Sequence, residues 1–150
     1  MIVRSWAKIF VTLGPIGYLK APGSMATLAS LPLVYLMGSL TLGQYTGILV
    51  ALTFLAFIAV RIALPAFHTA DPQAIVIDEC VGTMITFWAI KISLATFIIG
   101  FVLFRLFDIV KPLGISKLER LPGSWGIMLD DITAGVIANI LLQGYVAWLW

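Results

Sequence analysis

The chain has 150 residues, room for one domain and hardly two, of which 61% are hydrophobic and only 11% charged. A soluble domain carries about 25% charged residues, so these charges cannot cover a water-facing surface, and a mean hydropathy of +1.09 makes lipid part of the solvent. The net charge of +2 gives no footprint for nucleic acid, and a single cysteine, Cys80, excludes an internal disulfide.

Residues 1–23 begin with a basic stretch, but the apolar run is too short for a cleavable signal peptide and no small-residue cleavage site follows. Ile2, Val3, Trp6, Ile9, Phe10 and Leu13 recur at helical spacing, with Arg4, Lys8 and Thr12 between them. The pattern predicts a short amphipathic helix, lying in the headgroup layer or packed on the rest of the protein. The Gly/Pro-rich stretch from Gly14 to Ser24, with Lys20 inside it, leads into the next helix. Ser24 is placed to cap that helix, and the amides behind it could bind a phosphate oxygen; an ordinary turn is the plainer reading.

Residues 24–42 form a first uncharged span, with a kink expected at Pro32. Gly43 and Gln44 make the turn, and 45–64 form a second span; each approaches the ~20 residues that cross a bilayer core. A polar connection, 65–79, carries Pro65, His68, Asp71, Pro72, Asp78 and Glu79. The apolar stretch 80–107 that follows would be ~42 Å long as one helix, too long for a ~30 Å core, and would bury Lys91 near mid-membrane. Breaking it at Lys91-Ile92-Ser93 gives a hairpin of two short helices, roughly 76–90 and 94–110. The last span covers 127–149, with Trp148 and Trp150 as interfacial anchors. The expected fold is an all-α membrane protein, one domain over 1–150. It has about five transmembrane helices, including the hairpin, after an interfacial N-terminal helix.

Five crossings fix the side on which each charge falls. All seven acidic residues then share the N-terminal side, and of nine Lys and Arg only Lys91 lies opposite. Short loops rich in Lys and Arg stay in the cytoplasm, so that side is cytoplasmic. A single long third helix would instead separate Asp78 and Glu79 from Asp108 and Asp130. The shortness of the hairpin helices places these carboxylates below the headgroup plane, where ionisable groups are costly and default to function.

Asp78-Glu79, Asp108 and Asp130-Asp131 thus bring five carboxylates from three helix ends to one level. Carboxylates that close repel unless a cation sits among them, and an all-oxygen set suits Mg²⁺ or Mn²⁺. The plainer reading is that each caps a helix or pairs with a nearby base. Arg105 and Lys111 flank Asp108 at three-residue spacing, as a phosphate clamp or as groups snorkelling to lipid headgroups. Lys117 and Arg120 read as positive-inside charges. Asp131, Gly135, Asn139 and Gln143 share one helix face, read as a packing seam in which Gly135, with Ala134 and Ala138, allows close approach. His68 and Cys80 have no ligand partners at metal-site spacing, and Thr86 stands where a cysteine-phosphatase loop needs Arg.

The segments APGS (21–24), DPQAIVIDECVG (71–82), FRLFDIVKP (104–112) and GIMLDDITAG (126–135) resemble, in this order and spacing, the phosphatidylglycerophosphatase A family. The resemblance covers nearly the whole chain and departs from the family pattern at Ser24, usually Thr, and Ala26, usually Gly. It implies a Mg²⁺-dependent lipid phosphatase that converts phosphatidylglycerophosphate to phosphatidylglycerol, embedded in the bacterial inner membrane with its site facing the cytoplasm. On that reading Asp78, Glu79, Asp108 and Asp131 are catalytic. Glu79, Asp108, Asp130 and Asp131 hold metal, and Asp78 positions or deprotonates water or acts as nucleophile. Lys20, Ser24, Arg105 and Lys111 bind substrate. The rival readings are a small transporter or ion-binding channel subunit using the same carboxylates, a headgroup transferase of the CDP-alcohol type, whose regular Asp/Gly/Arg spacing is missing here, and a non-catalytic assembly factor.

Overall fold

In a computed structural model, residues 2–67 and 72–149 are described, and among them the regular structure is entirely helical. His68, Asp71 and Trp150 lie outside the described residues. The helices are α1 (Ile2–Val11), α2 (Pro22–Met37), α3 (Leu42–Ala63), α4 (Ile77–Thr86), α5 (Leu94–Val110), α6 (Ile115–Leu118) and α7 (Ser124–Leu149). Two of them, α3 and α7, are long and apolar enough to cross a membrane, and α2 is a shorter apolar helix. The most apolar window of α3 is only 17% buried, with Val50, Phe54, Leu55 and Ile58 exposed. A core helix of a soluble protein would be mostly covered; this one suits lipid. α1 packs on α3 at its last turn, where Val11 is buried, while Ile2, Val3, Trp6 and Ile9 stay exposed.

Several boundaries differ from the expected ones for local reasons. α2 starts two residues before Ser24, with Ala21 at the N-cap in the left-handed region (φ 53°) and Pro22 at the first helical position. A proline fits there because its missing N–H would have no intrahelical partner, so Ser24 lies inside the first turn and caps nothing. The helix continues through Pro32. Gly43 and Gln44 form no turn: the Thr41 hydroxyl accepts from the Gln44 amide at 3.3 Å, and the Gln44 side chain accepts from the Thr41 amide at 3.0 Å. This capping box opens α3 at Leu42.

The break between α4 and α5 is present, and it begins earlier than Lys91. α4 is ten residues long and ends at Thr86. The carbonyls it frees are taken by side chains from other helices. Tyr45 Oη donates to the Met84 carbonyl at 2.8 Å, and Asn139 Nδ2 donates to the Thr86 and Trp88 carbonyls at 2.9 and 2.8 Å. Irregular backbone at membrane depth is tolerated when the protein itself satisfies it in this way. A second capping box, between Ser93 and Thr96, then opens α5.

α7 packs against α3, α4 and α5. It runs alongside α4 in a register that matches Asp131 with Asp78, Gly135 with Gly82, and Asn139 with Thr86. A Cβ at Gly135 would stand 2.5 Å from the Gly82 carbonyl oxygen, and a Cβ at Gly82 would stand 2.8 Å from the Asp131 carbonyl oxygen. The seam expected on α7 is therefore real, and backbone meets backbone across it. Gly144, two turns further on, faces open space.

Gly135→Ala is accordingly expected to destabilise the protein by ~1–3 kcal/mol through overpacking. Gly144→Ala should stabilise it by ~0.5–1 kcal/mol through helix propensity alone. Thermal unfolding of the two variants in detergent, side by side, checks this; equal melting temperatures would contradict the close crossing.

Candidate functional site

Asp78 and Glu79 occupy the first turn of α4, Asp108 the last turn of α5, and Asp130 and Asp131 a position two turns into α7. All five line one cavity of about 770 Å³, together with Glu119, Arg105, Lys111 and Arg120. Six of the seven acidic residues therefore meet at a single site, as the hairpin requires. The start of α2 closes one wall through Ala21, Pro22 and Gly23, and the segment 119–123 runs along another.

Within this set the carboxylates divide into two kinds. Asp78, Glu79 and Asp131 each present an oxygen such that all three atoms lie within 4.8 Å of one another. Asp78 and Asp131 are buried, and Asp78 Oδ1 and Glu79 Oε2 have no hydrogen-bond partner. Asp108 and Asp130, by contrast, are already matched with cations. Arg105 Nη1 is ion-paired with Asp108 one turn along α5. Lys111 Nζ donates to Asp130 Oδ2 at 2.7 Å and lies 3.2 Å from Glu119. Lys111 ends α5 with a left-handed backbone (φ 47°), which turns its side chain across to α7. Burial opposes its charge, but hydrogen bonding and attraction to Asp130, and then to Glu119, outweigh that and raise its pKa above the ordinary lysine value.

The structure divides the expected metal set of Glu79, Asp108, Asp130 and Asp131. Glu79 and Asp131 converge with Asp78, which had been expected to handle water, whereas Asp108 and Asp130 carry basic partners. Lys20 and Ser24, expected to bind substrate, do not line the cavity; its α2 wall is formed one turn earlier than Ser24 would have placed it.

Two residues of the site were not picked out from the sequence. Gly23 has no side chain because a Cβ there would collide with Glu79 Oε1 and stand 2.9 Å from Arg105 Nη1. Arg120, read as a positive-inside charge, is exposed on the cavity lining and has no carboxylate partner among the described residues. A signal was available: the loop 111–123 joins two helix ends that both carry site residues, so it must cross the mouth.

The three converging carboxylates suit a hard divalent cation. Around Mg²⁺, with bonds of ~2.0–2.1 Å in an octahedron, adjacent ligand oxygens stand about 2.9 Å apart and opposite ones about 4.2 Å, so a set within 4.8 Å has to close by up to ~2 Å for all three to touch one ion. The donors are all oxygen, and two of the cluster's buried carboxylate oxygens have no partner, nor has Asp130 Oδ1 beside them. Both properties fit such an ion better than a soft metal.

The phosphatidylglycerophosphatase A family model matches residues 9–146. The chain is 37% identical to the "Putative phosphatidylinositol-3-phosphatase" of Bacteroides thetaiotaomicron, over 81% of each chain. It is 34% identical to phosphatidylglycerophosphatase A of Escherichia coli, over 81% of this chain and 72% of that one. With the same-named protein of Haemophilus influenzae it shares 40% identity over 53% of this chain and 50% of that one. No solved structure gives a significant match. A family match from one end of the helical array to the other, over a cavity of converging carboxylates, places the chain in the phosphatidylglycerophosphatase A family and makes it a phosphatase.

Proposed function

We propose that this phosphatase removes the terminal phosphate monoester of phosphatidylglycerophosphate, giving phosphatidylglycerol and inorganic phosphate, with Mg²⁺ as cofactor, at the cytoplasmic face of a bacterial inner membrane. The observation that carries the reading is the three-carboxylate cluster of Asp78, Glu79 and Asp131 inside a cavity whose flanking helices are apolar on their outer faces. A lipid phosphate sits at the headgroup plane, and its hydrolysis requires a polar site at that depth. The five-crossing arrangement, with α4 as the short arm of its hairpin, is the topology that gathers these carboxylates on one side. A transporter needs charges reachable from both sides; here all six described acidic residues line one cavity.

Phosphoryl transfer depends on positioning and charge neutralisation more than on a special nucleophile. Asp78, Glu79 and Asp131 hold the ion, which when bound supplies charge neutralisation and polarises the phosphate or water. Asp108 and Asp130 orient Arg105 and Lys111, whose remaining donors face the phosphate oxygens. Arg120 at the mouth meets the phosphate as it enters. Asp78, with one oxygen unpartnered, either orients the water that attacks phosphorus as the P–O bond to the glycerol oxygen breaks, or itself displaces that oxygen, giving an aspartyl phosphate that water then hydrolyses to inorganic phosphate.

The test is phosphate release in detergent micelles, with and without Mg²⁺. Removing a ligand should cost several kcal/mol of transition-state stabilisation, so Asp131→Asn is expected to lose about a hundredfold or more in kcat. Release without added or retained metal, or a fully active Asp131→Asn, would overturn the metal role. Phosphatidylinositol 3-phosphate, the substrate suggested by the name of the Bacteroides relative, is assayed in parallel; preferential release from it would reassign the headgroup and leave the site unchanged.

Arg120→Ala should raise KM for the lipid phosphate about tenfold, the scale of one charge-assisted hydrogen bond, with kcat little altered. Arg120→Lys should recover part of the loss. A KM unaffected by Arg120→Ala would remove this residue from substrate binding.

A further inference from the structure

Besides the carboxylate cavity, the molecule has an apolar groove of about 540 Å³ lined by Leu28, Leu31, Pro32, Tyr35 and Leu36 of α2 and by Phe97 of α5. We propose that this groove holds one acyl chain of the lipid whose phosphate occupies the carboxylate cavity. The inference rests on the lipid-phosphatase reading and specifies the part of the substrate that reading leaves unplaced.

The argument begins with the walls. Both openings are built along the same pair of helices. At the site end, Ala21, Pro22 and Gly23 of α2 face Arg105, Asp108 and Ile109 of α5 across the polar cavity, and Gly23 lies directly against the Arg105 guanidinium. The start of α2 meets the end of α5, so the helices run antiparallel, and the groove lies further along the same pair. Its far end is closed by aromatic rings: Tyr35 and Phe97 have centroids 6.5 Å apart, and Phe97 is itself held edge-on by Phe87 at 5.4 Å.

The depth then identifies the occupant. Leu28 is five residues beyond Gly23 and Tyr35 is twelve, which is ~7 Å and ~18 Å of helix. Half of a ~30 Å hydrocarbon core is ~15 Å. The groove therefore starts just below the level of the phosphate site and stops near the bilayer midplane, the interval occupied by a chain of one leaflet. Its lining offers no polar side chain except the Tyr35 hydroxyl, and Pro32 has no backbone N–H to donate. An alkyl chain satisfies such walls; water or a headgroup does not. Bulk lipid chains can lie against any exposed apolar face, such as that of α3. This concave seam differs in lying between the two helices whose other ends wall the phosphate cavity. An anchored chain would help fix the headgroup, because binding energy from non-reacting parts of a substrate is used for positioning at the reacting centre.

The experiment compares two substrates that share the headgroup, one with long acyl chains presented in micelles and one with chains short enough to be water-soluble. Leu28 is half-exposed at the groove wall, so Leu28→Trp fills the groove without entering the core. It should lower kcat/KM for the long-chain lipid about tenfold, as one blocked apolar subsite does, and leave the short-chain substrate unchanged. Tyr35→Ala, which removes the stop at the far end, should shift the preferred chain length upward. Equal effects on both substrates, or none on either with no change in length preference, would overturn the proposal and indicate that the groove holds bulk lipid only. Wild-type protein inactive on both substrates would instead remove the lipid-phosphatase reading, and this inference with it.

Discussion

The contact on which the site depends is the crossing of α4 and α7 at Gly82 and Gly135, where neither helix has room for a Cβ. Asp78 precedes Gly82 by four residues and Asp131 precedes Gly135 by four, one helical turn in each case. α4 and α7 start on the same side, so the two carboxylates are carried to the same level and face each other at the separation of the backbones. Asn139, one turn on the other side of Gly135, takes the carbonyls of Thr86 and Trp88. One stripe of α7 thus supplies a carboxylate of the cluster, a close contact and a cap, each at four-residue spacing. A larger residue at either glycine would change the distance between the carboxylates as well as the packing.

That geometry works against the fold. Two ionised carboxylates within 4.8 Å of each other repel by ~3 kcal/mol or more at an effective dielectric of 20, and three such groups converge here, two of them with an oxygen that has no hydrogen-bond partner. Close packing around them, as at the glycine crossing, holds them together in spite of this. The neighbouring Asp108 and Asp130 have a different arrangement, since Arg105 and Lys111 neutralise them and bring donors to the same cavity. The site therefore consists of an anionic centre suited to a divalent cation and a surround in which acids orient bases. The remaining cation, Arg120, stands at the exposed mouth.

Much of this was legible in the sequence because charge is so scarce. With only 16 charged residues, a single lysine in a 28-residue apolar stretch was enough to demand a break, and the break put Asp78 and Glu79 beside Asp108, Asp130 and Asp131. The α7 seam was legible from its four-residue spacing. Helix ends were less so. α4 stops at Thr86 because Tyr45 and Asn139, 39 and 53 residues away in sequence from the carbonyls they bind, satisfy its freed carbonyls, and no local pattern reveals that. The start of α2 was misplaced because a left-handed alanine before Pro22 is a weaker sign than a serine at a plausible cap. The division of the acids into a converging cluster and two ion pairs depends on which side chains reach across helices, which spacing along one helix cannot determine.

The shortness of α4 connects these observations to the membrane. Ten residues make ~15 Å of helix, about half of a ~30 Å core, and its far end is closed by side chains from α3 and α7, as irregular backbone at depth requires. Had α4 extended over a full ~20-residue span with the same far end, Asp78 and Glu79 would stand at the headgroup plane or beyond it, in water, where a carboxylate cluster is heavily screened and commonplace. Ending α4 early draws its first turn inward, to the level where α2 begins and α5 ends. Apolar helix faces then flank the carboxylates, and the effective dielectric around them falls. A cation held there interacts more strongly with a phosphate than the same ion at the surface. On the proposed reading the phosphate comes down to meet it, which a lipid with its chains beside the protein can do with little rearrangement.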